Sequence, residues 1–153
     1  MLTYVLAFLI GAVAGLRAMT APAAVSWAAK LGWLHLENTP LAFLGFAATP
    51  YIFTVLAIGE LINDKLPKTP SRNVPAQFGA RILSGALCGA AIGASNDVLI
   101  AGLVAGALGA VAGTLAGAEL RSRLAKAAGK DLPIALLEDA IAVASAFYLV
   151  SRA

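Results

Sequence analysis

Four of the eight acidic side chains in this 153-residue chain fall in or at the edge of long apolar runs: Glu60, Asp64, Glu138 and Asp139. Arg17 lies deep in the first such run. Charges inside a bilayer are costly, so they find partners and often mark a function. Two kinds of chemistry fit. Carboxylates facing a wet cavity bind a cation or relay protons, and held together they resist simultaneous ionisation, which suits proton exchange. An arginine beside broken helix ends holds an anionic group. The competing account is structural, with the same charges paired to lock a helical bundle. Glu60 and Asp64 are four apart, so a helix puts them on one face, one turn apart. Glu138 and Asp139 are adjacent and cannot both point along one face. Arg72, Arg81 and Glu119 are the supporting charges at similar depth.

Other chemistries lack their residues. His35 is the sole histidine and Cys88 the sole cysteine, the latter inside an apolar run. That excludes a Ser/His/Asp or Cys/His constellation and a disulfide within one chain. Neither a phosphate loop nor zinc spacing is present, so no enzyme and no cofactor is expected, and the sequence specifies no metal. Cys88 reads as a small packing residue.

The elements that must hold these charges follow from composition. The chain is 60% hydrophobic and 12% charged, with a mean hydropathy of +0.86. A soluble domain carries roughly 25% charged residues. The length suits one unit, 1–153, and the composition predicts an all-α membrane protein of about five transmembrane helices. Expected spans are 2–29, 40–63, 76–94, 98–119 and 133–150. The first is long enough to tilt or break, and Pro22 predicts a kink near 18–22. Its apolar start imitates a signal peptide, but Arg17 follows the run instead of preceding it, so a retained span is expected. Between the spans, 64–75 holds Pro67, Pro70 and Pro75, Ser95-Asn96-Asp97 makes a tight turn, and Gly129 stops a helix in the polar stretch 121–132.

Lysines and arginines set the expected orientation. Lys65, Lys68 and Arg72 lie in one connection, and Arg121, Arg123, Lys126 and Lys130 in another. With five spans these share a side, which the positive-inside rule makes cytoplasmic together with the N-terminus. Trp27, Trp33 and Tyr148 then sit at the outer interface. Nucleic acid is not an expected partner, because the basic residues are clustered for topology. The bilayer is, and Lys65, Lys68 and Arg72 are placed to meet anionic lipid headgroups.

Glycines recur at helical spacing: Gly11 and Gly15; Gly85, Gly89 and Gly93; Gly102 and Gly106; Gly109, Gly113 and Gly117. Such GxxxG-type faces let helix backbones approach, either within one subunit or as the seam of a homo-oligomer. Gly11-Ala-Val-Ala-Gly15 recurs as Gly109-Ala-Val-Ala-Gly113, and each copy precedes a span with two carboxylates. This reads as an inverted repeat of spans 1–2 and 4–5 around span 3, an arrangement common in transporters.

The strings Gly15-Leu-Arg17-Ala-Met-Thr20-Ala-Pro22, Gly59-Glu60, Asp64-Lys65-Leu-Pro67, Pro70-Ser-Arg72 and Glu138-Asp139 resemble a family of small bacterial integral-membrane proteins catalogued as a domain of unknown function. The resemblance covers nearly the whole chain and implies a multi-pass protein of the bacterial inner membrane, without a substrate. Glu60-Leu-Ile-Asn-Asp64-Lys65 is also similar to the acidic Glu-x-Gly-Asp-Lys/Arg-Ser/Thr motif of a divalent-cation and proton exchanger family. Here the spacing is one residue longer, glycine is absent between the acids, and Leu66 stands where Ser or Thr is expected, so cation binding is not carried over. The functional expectation is a small transporter or channel with Arg17, Glu60, Asp64, Glu138 and Asp139 along the path. The alternative is a non-transporting scaffold or lipid-binding protein in which these charges form structural ion pairs.

Overall fold

The computed structural model describes residues 2–36, 39–46, 48–63, 75–129 and 132–152. Asp64, Lys65, Lys68 and Arg72 lie outside the described residues, as does Lys130. Among those described there are six α-helices and no strand: α1 (Leu2–Leu16), α2 (Thr20–Lys30), α3 (Thr49–Asn63), α4 (Pro75–Ala94), α5 (Leu99–Ala128) and α6 (Leu132–Arg152). A short 3-10 turn, Ala42–Gly45, precedes α3. Leu99–Leu124 of α5 is long and apolar enough to cross a membrane; Leu2–Leu16 and Phe78–Ala94 are apolar but shorter.

The first apolar segment is two helices, not one kinked span. The break falls at residues 17–19, ahead of Pro22. Pro22 occupies the first turn of α2, where its missing N–H costs nothing because first-turn N–H groups have no acceptor within their own helix. Proline therefore starts α2 here instead of kinking α1. The far end of α2 closes with Gly32 at φ +85°, where Trp33 N donates to Ala28 O at 2.8 Å. This is the glycine-terminated stop expected when a left-handed residue follows a helix.

Contacts between elements give the directions. Ser84 of α4 bonds Ala18 O, and His35 N, past the end of α2, bonds Ser95 Oγ beyond the end of α4. So α2 runs alongside α4 in the same direction. Gly85 lies against Gly11 and Arg81 against Gly15, so α1 runs opposite to α4, and α1 and α2 form a hairpin. A helix of 15 residues such as α1 is about 22 Å long. The 30 residues of α5 span about 45 Å and continue well past the hairpin tip. The tip thus ends inside the bundle.

Three expectations change as a result. Six helices stand among the described residues, because the first segment folds back. The second expected span, 40–63, keeps helix only from Thr49, after the 3-10 turn. And α1 runs parallel to α5: Gly11 meets Gly106, while Gly15 meets Ala110, Gly113 and Thr114. The two Gly-Ala-Val-Ala-Gly strings therefore lie on parallel helices in contact, not on helices of opposite direction as the inverted arrangement required. The helix at the centre is α1, which packs on α4, α5, α6 and α2. In addition, α5 continues nine residues beyond its expected end at Glu119, helped by an i,i+4 pair, Arg123 Nε donating to Glu119 Oε1 at 2.8 Å.

The glycine faces are spent within this subunit. A Cβ on Gly106 would strike the Gly85 carbonyl, one on Gly89 the Gly102 carbonyl, and one on Gly11 the Gly106 carbonyl. On the other side of α5, Gly109 abuts Phe8 and Gly113 abuts Ala12. Backbones at this separation gain dispersion contacts that larger side chains would prevent. These glycines bind α1, α4 and α5 to each other, so they do not form a seam between copies. Cys88 is fully buried in the same core, as a packing residue.

Candidate functional site at the hairpin tip

A broken helix pair leaves unsatisfied carbonyls at the end of α1 and unsatisfied N–H groups at the start of α2. Irregular backbone of this kind is tolerated away from water only where protein groups satisfy it. Three other helices supply those groups. From α4, Arg81 Nη1 donates to Gly15 O at 2.8 Å, and Ser84 Oγ, one turn on, donates to Ala18 O. From α5, Thr114 Oγ1 donates to Gly15 O at 3.3 Å. From α3, the Glu60 carboxylate accepts Ala18 N–H through Oε2 at 3.0 Å and Met19 N–H through Oε1 at 3.2 Å.

The signs match the helix dipoles. A cation, Arg81, sits at the C-terminal end of α1, and an anion, Glu60, sits at the N-terminal end of α2. Met19, the residue preceding α2, makes no side-chain cap of its own. Glu60 does that work from a neighbouring helix, using both oxygens.

Arg17 is fully buried within the break. Its Nε donates to Asp139 Oδ1 at 2.6 Å, and its Nη2 also contacts that oxygen. Its Nη1 donates to Leu16 O at 3.2 Å and lies 3.6 Å from Glu138 Oε1. On its other side Glu138 Oε2 stands 3.9 Å from Arg121 Nη1. The result is a charge chain, Arg121–Glu138–Arg17–Asp139, running from α5 through α6 into the hairpin. Adjacent carboxylates were expected to diverge; one guanidinium reaches both because Arg17 approaches α6 at the hairpin turn.

Of the expected site residues, the structure brings together Arg17, Glu60, Glu138, Asp139 and Arg81. Arg17 pairs with Glu138 and Asp139, while Glu60 is seated on backbone N–H groups. Glu119 is a different case: its side chain is 65% exposed and paired with Arg123 at the surface, so it does not belong to the cluster. Asp64 and Arg72 lie outside the described residues. Two participants, Ser84 and Thr114, escaped sequence reasoning. Their signal was present: each is a lone hydroxyl beside a glycine on a small-residue helix face. Among the described residues no group of three or more His, Cys, Asp or Glu side chains is placed to hold a metal ion.

The hairpin also has an outer clasp. Trp27 Nε1 donates to Thr54 Oγ1 at 2.8 Å, Trp27 meets Tyr51 edge-on with centroids 5.2 Å apart, and Lys30 Nζ lies 4.4 Å over the Tyr51 ring. So α2 and α3 are tied at both ends, by aromatic contacts at one and by Glu60 at the other.

These features define an all-helical protein with a buried, charge-capped helical hairpin. The chain belongs to the family described as Domain of unknown function (DUF4126), whose model matches residues 4–151. No curated protein matches it, and no solved structure does.

Proposed function

We propose that this protein is a small integral-membrane transporter or channel for an ion or small solute, held in a closed form in which its own charges occupy the path. The observation that carries the reading is the hairpin tip: two half-helix ends inside the bundle, bounded by Arg17, Glu60, Arg81 and Asp139. Discontinuous helices meeting in a protein interior are a recurrent way to present backbone dipoles to a solute. Membrane insertion is supported by α5 and by the apolar outer surface, with Phe8, Ile52, Val55, Leu83, Ile100, Leu108 and Ile141 all exposed.

The hairpin changes the orientation that the charges favour. Arg121, Arg123 and Lys126 lie beyond the tip on α5, at the end opposite the start of α1. The positive-inside rule makes that end cytoplasmic and places the N-terminus on the outer side, with the C-terminal end of α6. An impermeant thiol reagent tests this on intact cells: Ser151→Cys in a Cys88→Ala background is labelled. Protection of that cysteine until the membrane is permeabilised would reject the orientation.

A second reading has its own support. The Arg17 pairs are closed and buried, as expected for a non-transporting scaffold or lipid-binding protein. Reconstitution into liposomes separates the two. Transport predicts ion or solute flux that Glu60→Gln or Asp139→Asn alters at least about tenfold, a transition-state change of about 1.4 kcal/mol. Flux indistinguishable from empty liposomes, with these variants losing stability alone, selects the scaffold.

A further inference from the structure

We infer that a trough along α6 is the seat of one anionic phospholipid of the cytoplasmic leaflet, with an acyl chain in the trough and the phosphate at Arg121. The inference goes beyond transport and rests on membrane insertion and on the orientation given above.

The trough exists because α6 packs on α1 and α2 and barely touches α5. Two cavities result and meet at Leu16: about 460 Å³ between α1 and α6, and about 120 Å³ between α5 and α6. One stripe of α6 lines both, Leu137, Ile141, Ala144 and Tyr148, at helical spacing. All four are exposed, so the trough opens to the lipid side. Opposite them stand Leu9 and Val13 of α1, then Leu120 and Leu124 of α5. The charged lining residues, Arg121 and Glu138, share one end.

Two lengths place the trough in one leaflet. From Leu99, the start of α5, to Arg121 the helix rises about 33 Å. The hydrocarbon core is about 30 Å thick. With the start of α5 at one boundary, Arg121 therefore reaches the other. From Leu137 to Tyr148, α6 covers about 17 Å, close to half that core. The trough thus has the reach of one acyl chain hanging from a headgroup at Arg121. Volume points to the same occupant. A helix of that length, about 10 Å across, fills over about 1,000 Å³, more than this space, so a chain fits where a second copy's helix does not.

Charge selects the headgroup. Residues 119–131 hold four basic side chains, Arg121, Arg123, Lys126 and Lys130, against Glu119 and Asp131. Glu138 is a third acid, divided between Arg121 and Arg17. Basic segments at the cytoplasmic surface attract anionic lipid. The Arg121–Glu138 approach of 3.9 Å is longer than a hydrogen bond. A guanidinium meets phosphate as a fork of several donors, so the headgroup joins the partners Arg121 already has.

The test purifies the protein in detergent and weighs retained lipid by native mass spectrometry. Dioleoyl phosphatidylglycerol and dioleoyl phosphatidylcholine are added at matched concentrations. Wild type is expected to retain the phosphatidylglycerol at least about fivefold more, and Arg121→Gln to lose about fivefold of that preference, the worth of one basic residue near anionic lipid. Ala144→Phe fills the wall from an exposed position and should cut retention of both lipids, while Ile52→Phe on α3 should change neither. Equal retention of the two lipids by wild type overturns the seat, as does full retention by Ala144→Phe. Displacement of the lipid by millimolar inorganic phosphate would also overturn it, since the acyl chain would then contribute nothing. A doubled mass that carries no lipid and is lost in Ala144→Phe would give the trough to a second copy and overturn it too. If Arg121→Gln is not recovered folded, Ala144→Phe decides alone. None of these readings depends on orientation, which thiol labelling tests separately. Retention without liposome flux keeps the seat and rejects transport, whereas flux without retention does the reverse.

Discussion

Two regions of this bundle solve the same problem by opposite means. Where α1, α4 and α5 meet, the polypeptide removes side chains: Gly11, Gly85, Gly89, Gly102 and Gly106 bring backbones into direct contact. At the hairpin tip a few residues away, it adds the most expensive side chains available, burying Arg17 and Arg81 almost completely. The seam is regular helix whose hydrogen bonds are internal, so only dispersion remains to be gained and small residues maximise it. The tip is broken helix whose carbonyls and N–H groups need partners, and long charged side chains reach them. Glycine suits continuity and charge suits interruption. Gly15 belongs to both, since it packs on Ala110 and Thr114 while its carbonyl receives Arg81 and Thr114.

The contrast can be broken from either side. The largest effect is expected at the tip. Arg17→Ala removes the cation that Asp139 and Glu138 share and should cost about 3–5 kcal/mol, the usual result of removing one member of a buried pair. Arg17→Met with Asp139→Leu should recover most of that loss, measured as the thermal midpoint in detergent. A double variant as unstable as the sum of its singles would mean that the two residues do not act as a pair.

The seam should respond to size, not charge. Gly106→Ala places a methyl group against the Gly85 carbonyl, and the backbones must separate, at about 1–3 kcal/mol. Gly106→Leu should abolish recovery of folded protein by size-exclusion chromatography. If Gly106→Ala left the midpoint unchanged, the close α4–α5 approach would be wrong.

Smaller effects sharpen the boundary between the regions. Thr114→Val keeps the shape but deletes a donor to Gly15 O, which Arg81 also serves; a loss of about 1 kcal/mol is expected. Gly59→Ala meets open space and lies mid-helix, so it should raise stability by up to about 1 kcal/mol. A strongly destabilised Gly59→Ala would show that something covers this face of α3.

Much of this was legible in the residues. The helix stop at Gly129, the tight turn at Ser95-Asn96-Asp97, a helix over 76–94 and the small-residue faces are local properties, governed by backbone preference and periodicity. Gly129, at φ +74°, and Asp97, at φ +63°, both adopt the left-handed conformation that such stops and turns use. That Glu60, Glu138 and Asp139 lie on one side of the bundle was expected too, because an apolar chain keeps so few charges, but that Arg17 joins them was not. What failed was geometry between elements. The break near Pro22 was visible, but whether the chain bent or reversed was not. A proline in a first turn and a proline that kinks a helix look alike until the partners of the neighbouring backbone are known.

The sequence by itself determined that this chain is helical, apolar outside, glycine-packed inside and charged at a handful of interior positions, since composition and spacing act through short-range physics. Only the tertiary structure decided that α2 turns back on α1, that Glu60 caps it and that Arg17 joins α6. Those outcomes depend on groups far apart in the chain, 41 positions from Met19 to Glu60 and 122 from Arg17 to Asp139. A backbone break inside a bundle is stable only when such distant groups arrive together to satisfy it.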